Sequence, residues 1–137
     1  MKPEHVIHVK NTWALILPVA DKAAKLLYDK VFELEPPLQP LFSGDMTVQG
    51  RKLMNMIDTV VNSLDRHKAM VPSLQQLGER HAGYGVKDND YDILGAALLW
   101  TLETCLGENF TPEVKEAWTI TYNELARAMK TAATVAA

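Results

Sequence analysis

Three polar side chains stand where helical spacing predicts apolar ones: Tyr28, Gln49 and His81. Gln49 precedes Leu53 by four residues and Met56 by seven, so it shares the inward face of its helix. A buried amide without partners costs about 1–3 kcal/mol. Gln49 is therefore either half exposed in a first turn or a donor aimed into a cavity. Tyr28 borders an apolar stripe with Val31 and Phe32, and inside a pocket its hydroxyl would be a donor. His81 ends a short helix on the face of Leu74 and Leu77, just before Gly83 and Gly85. By spacing alone it reads as a capping or core histidine or as a metal ligand.

Other chemistries are excluded more firmly. There is no HExxH, no paired CxxC and no CxxCH, which removes the common zinc frameworks and covalent c-type haem attachment. His5 and His8 sit in a solvated N-terminal turn, and His67 lies in the charged run Asp65-Arg66-His67-Lys68. No nucleophile elbow, Walker loop or dinucleotide fingerprint is present. Cys105 falls in an apolar stripe, as a buried inert thiol would.

The elements that must position these residues are helices. Val6, Val9, Trp13 and Leu17 form one face of a helix over residues 3–17. Pro18 opens a second, with Val19, Ala23, Leu26, Leu27, Val31 and Leu34 at helical spacing. Glu35-Pro36-Pro37 ends it. An irregular turn through Leu38, Leu41 and Phe42 closes at Gly44. Asp45 or Thr47 caps a third helix with the stripe Leu53, Ile57, Val60, Val61 and Leu64. A short helix covers 72–81, and its glycines stop it. A long helix spans about 89–106, apolar nearly all round and hence central, and Gly107 closes it. Thr111-Pro112 starts the last, with Val114, Trp118, Leu125 and Met129 inward. Residues 132–137 read as a fraying tail. The class is all-α.

The 137 residues show no repeat or linker and suit one domain, residues 1–137. A net charge of -3 argues against nucleic-acid binding. No apolar run approaches the ~20 residues of a membrane span. One cysteine cannot form an internal disulfide, which fits a reducing cytoplasm.

The ordered set Leu27–Phe32, Pro40-Leu41-Phe42, Gln49–Leu53, Leu77–His81 with Gly85-Val86, Asp90–Gly95 and Ala117-Trp118 to Tyr122 resembles the globin family. The likeness is to bacterial single-domain globins and the haem domain of flavohaemoglobins, and it covers nearly the whole chain. It implies six to seven helices around a pocket for a non-covalent b-type haem. It makes His81 the axial iron ligand, with a carbonyl near Leu77 holding its other ring nitrogen. Phe42 would wedge on the porphyrin face, Leu53 would wall the distal side and Val86 the proximal side. Tyr91 matches the family's proximal tyrosine. Lys52 and Arg80 are candidates for the propionates. Tyr28 and Gln49 would donate to a diatomic ligand that gains negative charge on binding. Oxygen, nitric oxide and carbon monoxide are the implied ligands, at a five-coordinate iron.

Two departures stand out. The family's proximal glutamate aligns with Ala133, which favours ligand binding over O–O cleavage. The chain carries no reductase domain, so nitric oxide oxidation to nitrate would need a separate flavin reductase. A haem-based gas sensor and a haem-free interaction module are the other readings.

Overall fold

The computed structural model describes residues 2–42, 44–66, 72–78, 80 and 87–136; the side chains of 41, 88 and 131–136 are outside the description. Six helical segments follow one another, with no strand among the described residues. Helix α1 spans Pro3–Ile16, α2 Ala20–Leu34, α3 Met46–Asn62, α4 residues 72–78, α5 Asp88–Leu106 and α6 Pro112–Ala136. Three of the starts have a local cause. Pro3 occupies a first-turn position where an amide would be unpaired, and the Lys2 N–H donates to His5 Nδ1 at 3.0 Å. The Asp45 carboxylate caps α3 by accepting from the Thr47 N–H at 2.8 Å. The Asp90 carboxylate turns back to accept from the Lys87 N–H at 2.9 Å and opens α5. Gly107, at φ +55°, closes it in a conformation that L side chains avoid.

The helices pack in pairs, α1 on α6, α2 on α5 and α2 on α3. Val9, Trp13, Ile16, Leu27, Leu64, Leu102 and Trp118 form the core, each at most 3% exposed. Three buried or half-buried hydrogen bonds fix the α1 side. Trp118 Nε1–H donates to Thr12 Oγ1 at 2.9 Å, and the Thr12 hydroxyl donates to the His8 carbonyl at 2.7 Å. Trp13 Nε1–H donates to the Asp58 carboxylate at 2.9 Å, tying α1 to α3. Leaving either indole N–H dry and unpaired would cost roughly 1–3 kcal/mol.

The structure corrects the sequence reading in several places. Pro18 lies inside a 3-10 turn, Leu17–Val19, and α2 begins only at Ala20. Val19 and Leu34, expected on the apolar stripe of α2, are each 41% exposed because they fall at its two ends, beyond the neighbours that cover its middle. The turn after α2 is a 3-10 helix over Pro36–Leu41. Leu64 falls past the end of α3, in a 3-10 turn over Leu64–Arg66, yet is 1% exposed. The expected tail stays helical to Ala136, since alanine is the best helix former.

Candidate functional site

The site begins where α2 crosses α3. A Cβ on Gly50 would meet the Ala24 Cβ at 3.0 Å, so the two backbones approach closely there. This crossing carries Tyr28, 9% exposed, to the first turns of α3. Its hydroxyl points at the Gln49 main-chain carbonyl at 3.5 Å, the long limit of a hydrogen bond. Phe42 packs edge-on against Tyr28, ring centroids 5.3 Å apart, and against Phe32 at 5.5 Å. Tyr28 and Phe32 stack at 6.1 Å. Burial pushes the Tyr28 phenol above its ordinary pKa of 10.0, so it stays a neutral donor through the physiological range.

One turn past Gln49, Leu53 enters the wall of an apolar cavity of about 120 Å³. Met56, Ile57 and Val60 of α3 line one side and Leu74 and Leu77 of α4 the facing side. Tyr91 and Leu94 of α5, with Tyr122 and Met129 of α6, close the back. Two close approaches hold this back wall. The Tyr122 hydroxyl donates to the Tyr91 carbonyl at 2.6 Å while its ring lies across Gly95, where a Cβ would come within 2.7 Å. A Cβ on Gly78 would meet the Met129 carbonyl oxygen at 2.3 Å, so α4 rests directly on the backbone of α6. Burial, aided by the neighbouring Tyr91 and Asp92, holds the Tyr122 phenol far above the usual tyrosine range.

The predicted residues thus fall into groups. Leu53, Leu77 and Tyr91 line the cavity. Tyr28, Gln49 and Phe42 cluster at the α2–α3 crossing beside it. Lys52 is exposed on α3, and Arg80 borders a separate groove. His81 and Val86 lie outside the described residues, as does the side chain of Ala133. Sequence reasoning missed the donor geometry at Gln49, where the main-chain carbonyl accepts from Tyr28. It also missed Gly78 and Gly95 as contact points; a glycine within an amphipathic helix was the available signal. No cluster of three metal-ligating side chains occurs among the described residues. No helix described here is long and apolar enough to cross a membrane.

Comparison with known proteins gives a consistent result. A model of the Globin family matches residues 25–129. The chain is 30% identical over 118 residues to neuroglobin-1 of Oncorhynchus mykiss, covering 76% of this chain and 74% of that protein. It is 27% identical over 125 residues to a flavohemoprotein of Bacillus subtilis (strain 168), covering 88% of this chain and 31% of the relative. A flavohemoprotein of Vibrio cholerae is 25% identical over 127 residues, covering 90% and 32%. The chain spans about a third of the length of these flavohemoproteins.

Proposed function

The chain belongs to the globin family and has its all-α fold, and from that premise we propose that it binds oxygen reversibly at a b-type haem held between α3 and α4. The lining of the cavity, though not its present volume of about 120 Å³, fits such a group. Its walls are almost wholly hydrocarbon, as a non-covalent macrocycle requires, and Met56 and Met129 give it sides that can repack. When bound, the haem supplies an iron centre that takes diatomic gases.

The chain's own residues do the rest. His81 is the iron ligand, and the carbonyl region of Leu77 orients its ring. Leu53 and Leu77 keep water out, which strengthens every polar contact inside. Lys52, exposed on α3, and Arg80 are the residues assigned to the propionates. Tyr28 donates to the gas ligand. Its present contact with the Gln49 carbonyl is long enough to exchange for a shorter, stronger one. Gln49 assists with its amide, and Phe42 holds the Tyr28 ring by edge-on packing.

The observation that carries this reading is the pairing of a buried neutral Tyr28 with Gln49 one turn from the apolar cavity. Oxidation of nitric oxide to nitrate by dioxygen, with an external reductase supplying the one electron each turnover consumes, extends the same reading. The test is a set of absorption spectra of the purified, haem-reconstituted protein in ferrous, oxygenated and carbonyl forms. A Soret band with an oxygenated form stable against rapid oxidation is expected; its absence after reconstitution refutes the proposal.

A further inference from the structure

None of the described residues that line the cavity is charged, yet a charged pair stands directly behind its back wall. Lys130 of α6 sets its ammonium 5.7 Å from the centre of the Tyr91 ring, within reach of a cation–π contact. The same nitrogen lies 3.5 Å from the Asp92 carboxylate. The two partners differ in exposure, the Lys130 side chain being 28% exposed and that of Asp92 72%. The cation is drawn in against the wall while its counter-ion stays in water, where solvent weakens it. The register of α6 explains the placement. Tyr122 and Lys130 are eight residues apart, about two turns. Tyr122 pins the Tyr91 main chain through its bond to the carbonyl, and Lys130 lies on the Tyr91 ring. Tyr91 lines the cavity and Lys130 does not, so the charge acts through the ring, across a dry wall that screens it poorly.

We propose that Lys130 is a positioning residue for this site, one that steadies the Tyr91 ring and lends the cavity a positive field that Asp92 only partly cancels. The consequence, which rests on the haem reading, is a bias of the bound iron toward its ferrous state. The oxidised centre carries one more positive charge than the reduced one, so a nearby cation disfavours it. Lys130 supplies no electron; it shifts a one-electron equilibrium whose electron comes from an outside donor. Ferrous iron is the state that takes oxygen, so Lys130 protects binding without touching the gas. Asp92 sets the size of the bias from the opposite side.

The experiment is a spectroelectrochemical titration of the haem-loaded full chain and its variants. At a fixed applied potential, Lys130→Met should raise the ferric-to-ferrous ratio about threefold, because it keeps the apolar stem and removes the charge. Asp92→Asn should lower the ratio by a similar factor, and Lys130→Arg should stay close to the parent. High salt should shrink both changes. A second readout needs no iron: in the chain as isolated, the Lys130 ε-methylene protons should resonate upfield through the Tyr91 ring current and return toward the ordinary position in Tyr91→Leu. A ratio unmoved by Lys130→Met in a protein with a normal Soret band would overturn the proposal, as would Lys130→Arg behaving like Lys130→Met. Lys130 signals indifferent to Tyr91→Leu would overturn the positioning role. Absence of a Soret band in the parent would instead refute the haem reading and the redox bias with it, leaving the resonance shift to decide whether Lys130 holds Tyr91.

Discussion

The Tyr28 hydroxyl and the Gln49 main-chain carbonyl meet at 3.5 Å across the α2–α3 crossing, with Gly50 against Ala24 beside them. The contact is long, and the donor is held by aromatic packing rather than by its acceptor. Tyr28 therefore has little to lose when a better acceptor arrives.

Replacing it should separate binding from folding. Tyr28→Phe should speed oxygen release from the ferrous protein by about tenfold or more, the worth of one hydrogen bond to a charged acceptor. Thermal stability should change by less than about 1 kcal/mol, because a marginal bond is lost. Stopped-flow release of oxygen measures the first and circular dichroism the second. An unchanged off-rate would remove Tyr28 from its role.

His81→Gly should abolish the five-coordinate ferrous spectrum while leaving the helical content intact. Added imidazole should restore that spectrum by standing in for the missing ring. Failure of the substitution to alter the spectrum would show that another residue holds the iron.

The tyrosines predict an alkaline limit. Burial raises Tyr28 and Tyr122 above the ordinary value of 10.0. Below pH 10 both phenols are neutral in the folded and unfolded chain, and their burial carries no proton penalty. Above it the unfolded chain releases protons that the folded chain keeps, so stability falls as pH rises. Denaturant midpoints should therefore drop above about pH 10. Tyr122→Phe should make that drop shallower, even if the loss of its bond to the Tyr91 carbonyl lowers stability at neutral pH. A slope identical to that of the parent protein would contradict the account.

Two glycines should respond to alanine to different degrees. Gly78→Ala drives a methyl into the Met129 carbonyl, where only backbone could yield, and should cost about 1–3 kcal/mol. Gly50→Ala meets a methyl at 3.0 Å but gains up to about 1 kcal/mol of helix propensity, so it should fall close to neutral. Chemical denaturation of the pair checks the difference.

The helices were legible because their stripes and punctuation are local. Asp45, Pro112 and Gly107 act on their own turns, and the apolar spacing of α3 and α6 follows directly from the sequence. Val19 and Leu34 show the limit: they have the right spacing, but their exposure depends on where neighbouring helices stop. The candidate residues Leu53, Leu77 and Tyr91 came from the resemblance, and they line a single cavity. The placing of α4 beside the end of α3 was not legible, because no local pattern says where a short helix folds back. Close backbone contacts such as Gly78 on Met129 are hidden for the same reason, because they join residues far apart in the chain.

The bond from Trp118 to Thr12 spans 106 positions, and α1 packs on α6 around it. During synthesis the first helix therefore emerges long before the surface that covers it. Val9 and Trp13 remain wet until α6 has left the ribosome, so the core closes late and nearly all at once. A cofactor that needs the finished cavity must then wait until α6 has closed over α1.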